Sequence, residues 1–480
     1  MNKDSKKELF IRALKDRAEI YCLVGRTNEA MVDLNIAISI TKKIKDYRNE
    51  AYCILEKAEI YGVISTPKFI IKGAKMAMKI AKKLNDKRIE AACLNNIGYG
   101  YYGMGDYFKA YKYFIKAFKI KKNLNITEGQ EENLLNIGSI FYYFGKFEKE
   151  LNYYRRCLSL VNKTKNLRML GIVLNSLASW YRRAGRPDKY IEYLLKALEV
   201  RKKVGDRYGQ AITLNNLAVG LMDRGDYIKG IHYLKEALQI QGEIQNTQGE
   251  AFTLYNLSLA YYFLGKFKES MFYIKKSLQI YSKIEDRAGA GECFYILGLI
   301  KLAQNRTDEA KKYFYKAKTI ALQLIDKNLV QKIYLSLGEL ELEQKKFKQA
   351  EIWMRLALKL TSELQGPFVK GEALMISAKI MGQKLKKSID KKNKLVNGIR
   401  RRFDEAIMIF RKLKRPFYLA RAYFNYGEML MVFSLGNRSR ETKTAHKYLQ
   451  KAMRIFQEIG AGFWLKKVYK LQCQNLKSNI

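Results

Sequence analysis

The chain has 480 residues, 48% of them hydrophobic and 12% aromatic, which is ample apolar surface for a continuous core and excludes a chain that is disordered throughout. With 90 Lys and Arg against 46 Asp and Glu it carries a formal net charge of +44, a surface that attracts an acidic protein, a nucleic acid or an anionic membrane. Only four prolines and two histidines occur, so long uninterrupted helices are expected, while a multi-histidine metal site and a repeated catalytic triad are not.

Residues 1–7 lead straight into an amphipathic helix without the apolar segment of a signal peptide. No later stretch reaches the roughly 18 apolar residues of a membrane span, so the expected compartment is the cytoplasm. Three of the six cysteines, Cys53, Cys93 and Cys293, fall at one point of an internal repeat and read as small core residues.

Set in rows of 40 from residue 11, the chain places a small residue at the eighth column nine times running: Ala18, Ala58, Gly98, Gly138, Ala178, Ala218, Ser258, Gly298 and Gly338. Column fifteen holds Gly105, Gly145, Gly185, Gly225 and Gly265, and column twenty-three holds tyrosine from Tyr113 to Tyr313. Small residues on facing helices predict close backbone approach, and the column-fifteen glycines predict a left-handed residue that ends the first helix. The unit is helix A, turn, helix B. Between units, Asp46, Asp86, Asn166, Asp206, Asn246, Asp286 and Asp326 are predicted to cap each new helix A. Apolar residues recur at spacings of three and four throughout, which excludes strands.

Some copies depart from the pattern. The second has Ile70 at column twenty, and Asn305 and Lys345 stand where glycine is usual, which predicts less regular pairs. A tenth unit begins at Gly371, with its second helix resuming only near Phe403. The segment Lys379 to Arg415 carries 14 Lys or Arg against three acids. The expected division is 1–381 for units one to nine and the start of unit ten, 382–398 for a basic insertion, and 399–476 for the rest. An eleventh unit has a loop from Gly436 to Thr444, and a last helix, Phe463 to Gln472, is expected to cap the stack.

The register, shown most fully by Gly98, Tyr101, Gly105, Ala110, Phe114 and Ala117, resembles the tetratricopeptide repeat in a long form. Gly205-Asp206-Arg207 followed by Leu214-Asn215-Asn216-Leu217-Ala218 looks like the branch found in polarity scaffolds and bacterial signalling proteins. The resemblance implies an all-α, right-handed superhelical solenoid of about eleven helix-turn-helix units plus a C-terminal capping helix. It implies a non-enzymatic scaffold or adaptor without cofactors that binds a peptide or protein segment in a concave groove. The ending Ile459 to Leu465 also looks like the end of repeat regions attached to large signalling proteins, so a sensor module of a larger ATPase or kinase is an alternative.

On helix A, columns two, five, six, nine, twelve and thirteen face away from the core as a group, and in this family that group lines the groove. The candidate peptide-binding residues are Asn95, Asn96, Tyr102, Asn136, Tyr142, Asn175, Arg182, Arg183, Asn215, Asn216, Asn256 and Tyr262. Amides donate to and accept from an extended backbone, and tyrosines add area with a polar tip, which suits a protein or peptide partner, acidic if the charge is used. The same asparagines are equally placed to bond neighbouring helices, and tyrosines at helical spacing are more often core. Families that grip a chaperone tail use Gly-Asn at columns eight and nine, and no unit has it.

Positive charge gathers elsewhere. Helix B columns nineteen, twenty-six and thirty-three form a ridge of Lys109, Lys116, Lys149, Arg156, Lys163, Lys189, Lys196 and Lys203. The anion-binding candidates are Lys386, Lys387, Lys391, Lys392, Arg400, Arg401 and Arg402, which suit nucleic acid or an anionic membrane as alternative partners. A solvated basic face is the ordinary account of both.

Overall fold

A residue at positive φ closes most helices, and its spacing sets the architecture. Gly105, Gly145, Gly185, Gly225 and Gly265 adopt φ between 65° and 86°, as column fifteen predicts. The turn from B back to A repeats the device twenty residues later at Lys45, Asn85, Asn125, Lys165, Gly205, Gln245, Glu285 and Ile325. Only Gly205 of that series is glycine, so this half of the period leaves no glycine signature. The backbone closes in the same way at both: Asp106 N–H donates to Tyr101 O at 3.0 Å, and Asp86 N–H to Ala81 O at 2.9 Å. Asn305 and Lys345 take φ of 62° and 58°. The eighth and ninth pairs, expected to be irregular, therefore turn as the others do, while the turn of the second lies outside the described residues.

The structure, a computed structural model, describes residues 3–23, 26–63, 67–364, 367–385, 392–433 and 440–477, and helix is the only regular element among them. The first of two compact units, Met1–Thr213 with Ile240–Asn246, holds α1 (Lys3–Leu23), α2 (Thr27–Ile44), α3 (Tyr47–Val63), α4 (Pro67–Lys83) and α5 (Lys87–Gly103). It continues through α6 (Tyr107–Asn123), α7 (Gln130–Tyr143), α8 (Phe147–Thr164), α9 (Leu167–Arg183) and α10 (Pro187–Lys203). The division runs through α11 (Arg207–Asp223) and α12 (Tyr227–Glu243). The second unit holds α13 (Thr247–Leu264), α14 (Phe267–Lys283), α15 (Arg287–Ala303), α16 (Thr307–Gln323), α17 (Lys327–Glu343) and α18 (Phe347–Leu364). It ends with α19 (Pro367–Leu385), α20 (Lys392–Lys412), α21 (Pro416–Phe433), α22 (Arg440–Glu458) and α23 (Gly462–Lys477).

Odd-numbered helices are the A helices and even-numbered ones the B helices, giving eleven pairs and a final α23 among the described residues. Successive A helices also touch one another, as α3 does α5 in the first unit and α15 does α17 in the second. Within each unit the A helices thus line an inner face and the B helices an outer one. Asp86, Asn166, Asp286 and Asp326 cap their A helices as predicted, and Asp106 caps a B helix as well.

Column eight allows close approach, as of Ala58 to Gly73, whose added Cβ would lie 3.0 Å from Ala58, and at three of its glycines it makes room for a ring. A Cβ added at Gly98 lies 2.6 Å from Phe114, at Gly138 2.7 Å from Tyr154, and at Gly298 2.5 Å from Phe314. Phe114 and Phe314 are among the largest fully buried side chains. Ile70, at its irregular column, is simply buried.

The expected basic insertion is in part a lengthening of helices. α19 runs on to Leu385 and α20 begins at Lys392, well before Phe403, while 386–391 lie outside the described residues. Of the loop expected from Gly436 to Thr444, residues 440–444 belong to α22 and the rest lie outside the described residues. Within the second unit the chain returns on itself. Arg415 pairs with Asp223, Phe417 meets Phe263 at 4.8 Å between centroids, and Phe463 packs on Phe267 at 4.7 Å. α23 therefore seats its first turn on the turn between α13 and α14 as well as packing on α22.

Two stability measurements check this packing. Gly298→Ala should lower stability by about 1–3 kcal/mol, because the added methyl meets the Phe314 ring. Ile325→Gly should raise it by about 1 kcal/mol, since a β-branched residue that is 79% exposed occupies φ 57° with no packing to offset the strain.

Candidate functional site

The asparagine ladder on the inner face is buried. In the first unit Asn95 donates to Glu132 at 3.0 Å and accepts from Asn133 at 2.7 Å, while Asn96 donates to Leu55 O at 3.3 Å and reaches Glu59 at 3.5 Å. In the second, Asn215 donates to Thr253 at 2.9 Å and accepts from Asn256 at 3.2 Å. These bonds join successive A helices. Asn136 is 7% exposed and its Nδ2 lacks a hydrogen-bond partner. Asn175 and Asn216 are half-buried and hydrogen-bonded or otherwise engaged. Tyr262 is core, packed on Phe267 and Trp464.

Other candidates converge at the surface. The last turns of α5, α7 and α9 bring Tyr102, Tyr142, Tyr143 and Arg183 into one strip. Tyr102 and Tyr143 hydroxyls lie 3.3 Å apart, Tyr107 stacks on Tyr143 at 3.7 Å, and the Arg183 guanidinium sits 4.4 Å from the Tyr142 ring centroid. Tyr142 and Tyr143 remain 47% and 42% exposed, so the strip is accessible. Arg183 is held by Glu150, and Arg182, over Tyr190 at 5.7 Å, flanks it. Burial, more than the Tyr102 contact, lifts the Tyr143 phenol to about 12, so it stays protonated and can donate at neutral pH.

Carboxylates also collect on the inner face. In the first unit Glu19 meets Arg168 at 2.7 Å and Glu56 meets Lys15 at 3.1 Å, whereas Glu59 and Glu132 meet the amides of Asn96 and Asn95. In the second, Arg421 of α21 reaches Glu339 of α17 at 2.7 Å and Glu372 of α19 at 4.0 Å. This triad was not singled out from the sequence. Glu339 was visible at column nine, but nothing local announces an arginine arriving from 82 residues away.

The basic candidates separate. All eight ridge cations are exposed on B helices, several over aromatic rings, as Lys109 is over Tyr101 at 5.2 Å and Lys149 over Phe141 at 5.8 Å. Lys386, Lys387 and Lys391 lie outside the described residues, and Lys392 opens α20. Arg400, Arg401 and Arg402 fan around α20 at successive positions, Arg401 exposed and Arg402 donating to Gly398 O at 3.2 Å. They do not form one patch. Among the described residues there is no cluster of three metal-ligating side chains, and no helix is long and apolar enough to cross a membrane.

The Arg421 triad makes stability depend on pH. Burial lifts the Glu372 carboxyl to about 7 against the pull of Arg421. Burial would raise Glu339 too, but Arg421 and Lys379 hold it below the usual carboxylate range. Folded Glu372 keeps its proton up to about pH 7, while the unfolded carboxyl loses it near about 4.3. Stability therefore falls as pH rises across that window, and the whole deficit is present above it. Glu372→Gln should stabilise the protein at pH 8 by about 1–2 kcal/mol and flatten the profile between pH 5 and 7. Glu339→Gln should destabilise it at pH 8, and denaturant titrations at several pH values separate the two.

Family models described as tetratricopeptide repeat match residues 90–163 and 209–283, 173–208, and 291–323. No curated protein matches the sequence. Among solved structures, the fold is similar to a Rap protein complexed with competence and sporulation factor, at 14% identity and TM-score 0.55, covering 75% of this chain and 99% of that one. It is similar to the apo quorum sensor NprR from B. thuringiensis, at 17% identity and TM-score 0.53, covering 75% and 98%. A signal transduction ATPase with a tetratricopeptide repeat sensor from Pyrococcus horikoshii matches at 17% identity and TM-score 0.52, covering 75% of this chain and 53% of that one. At these identities the likeness is one of fold, and together with the repeat matches it identifies the chain as a tetratricopeptide-repeat protein.

Proposed function

We propose that the chain is a non-enzymatic scaffold that holds a segment of another protein, or a peptide, against the inner face of its A helices. The repeat family supports a protein-interaction role, and the observation that carries the finer reading is the exposed strip of Tyr102, Tyr142, Tyr143 and Arg183 across three successive A helices. Tyrosine and arginine supply large contact area and directional polar groups, the chemistry enriched where binding energy concentrates. Behind the strip, the Asn95 and Asn96 amides link helices and orient carboxylates, so they fix the geometry that the partner meets.

The charge of the groove favours a partner with basic side chains. Glu59 and Glu132 hydrogen-bond to amides, and burial lifts both carboxyls, Glu59 to about 8, so a basic side chain brought against them would hold them ionised. The net charge by itself suggests an acidic partner, but most of the exposed lysines stand on the B helices. The similar Rap structure is a complex with competence and sporulation factor, and the similar Pyrococcus protein uses its repeats as a sensor, which agrees with a binding role for such a solenoid.

Selection from a displayed random-peptide library against the full chain should enrich peptides containing Lys or Arg. Tyr102→Ala, Tyr142→Ala and Arg183→Ala combined should weaken the selected peptides at least about tenfold, with helicity by circular dichroism unchanged. Equal binding by wild type and triple variant would remove the strip as the site, and failure to enrich any sequence would remove peptide binding.

A further inference from the structure

Two neighbouring B helices of the first unit stand apart in composition. α4 and α6 together carry twelve lysines and neither an arginine nor an acidic residue. Every one of these lysines is exposed except Lys121. The acid nearest in sequence, Asp106, caps α6 and bridges Lys109 at 2.8 Å. Among the lysines stand large apolar side chains open to solvent: Phe69 at 50%, Met76 at 47% and Phe108 at 61%. They share the outer face with the charges, and the Lys112 ammonium lies 4.4 Å from the Phe108 ring centroid.

We propose that the outer face of α4 and α6 docks on an anionic lipid bilayer. Two features favour a bilayer over nucleic acid. The cations are all lysine, a hydrated point charge suited to a diffuse field of headgroups, whereas the planar fork that reads phosphates and base edges bidentately belongs to arginine. The apolar side chains add what a phosphate backbone does not use, a rim that enters the boundary between headgroups and acyl chains while lysines stay at headgroup level. The inner-face site is untouched by this contact, so docking and partner binding are compatible.

Sedimentation of the full chain with vesicles tests the assignment. Binding is expected to vesicles of phosphatidylcholine and phosphatidylserine at about seven to three, and not to phosphatidylcholine alone, by the electrostatic attraction of basic residues to anionic lipid. Each lysine near such a surface is worth on the order of fivefold in partitioning. Reversing Lys72, Lys75, Lys112 and Lys116 to Glu should therefore lower it at least about 100-fold. Phe69→Ser, Met76→Ser and Phe108→Ser combined should lower it about tenfold or more at unchanged charge. Reversing Lys443, Lys447, Lys451 and Lys470 changes the charge equally elsewhere and should have little effect. Equal loss from that control, or no loss from the apolar changes, would overturn the proposal. So would tight binding of duplex DNA or single-stranded RNA, abolished by the lysine changes, with no vesicle binding. All substituted positions are exposed or rim positions, and circular dichroism confirms that each variant is folded.

Discussion

The constraint on which the rest depends is the closing of a helix by one left-handed residue. A helix of 17 residues with a three-residue turn, or of 18 with a two-residue turn, repeats every 20 residues through most of the chain. Two such turns return the chain to the same direction and register, so the same columns meet the same neighbours in each pair. Because the described turns repeat so closely, one glycine can hold one ring: Gly98 with Phe114 and Gly298 with Phe314 are the same contact 200 residues apart. The turn tolerates Lys, Asn, Gln, Glu and even Ile at positive φ because its backbone hydrogen bonds and the packing of both flanking helices overdetermine it.

That rigidity sorts the faces. Where A helices approach one another closely, side chains such as Asn95, Asn133, Asn215 and Asn256 bond across the gap, and a buried amide needs these bonds. Where the B helices diverge outward, long lysines reach solvent and lay their stems over aromatic rings, as Lys189 does over Tyr181 and Lys196 over Tyr193. The outcome is a strongly basic molecule whose inner face carries carboxylates. Net charge averages two surfaces of different composition, with most of the exposed lysines on B helices and the carboxylates Glu59, Glu132, Glu339 and Glu372 on A helices.

The helices, their pairing and the caps at Asp86, Asn166, Asp286 and Asp326 were legible because each rests on neighbours within about five residues, and the repeat multiplies the signal. The inner face was half legible. Periodicity identifies which columns turn inward, yet it does not say whether Asn95 meets a ligand or the next helix, because both uses place an amide at the same angle. Tyr102, Tyr142 and Arg183 belong together through contacts between three helices, and column spacing does suggest that line. Arg421 with Glu339, Arg168 with Glu19, and Phe463 with Gly265 were not legible, for they depend on how tightly the stack curves. Curvature is the sum of small rotations at every pair, and no single residue encodes it.

Curvature also explains why the charged contacts of the inner face matter beyond their number. Arg168 and Glu19 are 149 residues apart in sequence, and Arg421 and Glu339 are 82 apart, so each ion pair joins helices that the local packing alone would leave separate. A partner held along the inner face, as proposed above, would meet the same carboxylates and compete for them. Its charge is then coupled to the spacing of the A helices: basic side chains that take over Glu19 or Glu339 release an arginine and loosen a long-range contact. On the groove-binding reading proposed above, partner binding and solenoid geometry would be linked through shared carboxylates, and by reciprocity a change in geometry would alter the affinity for the partner.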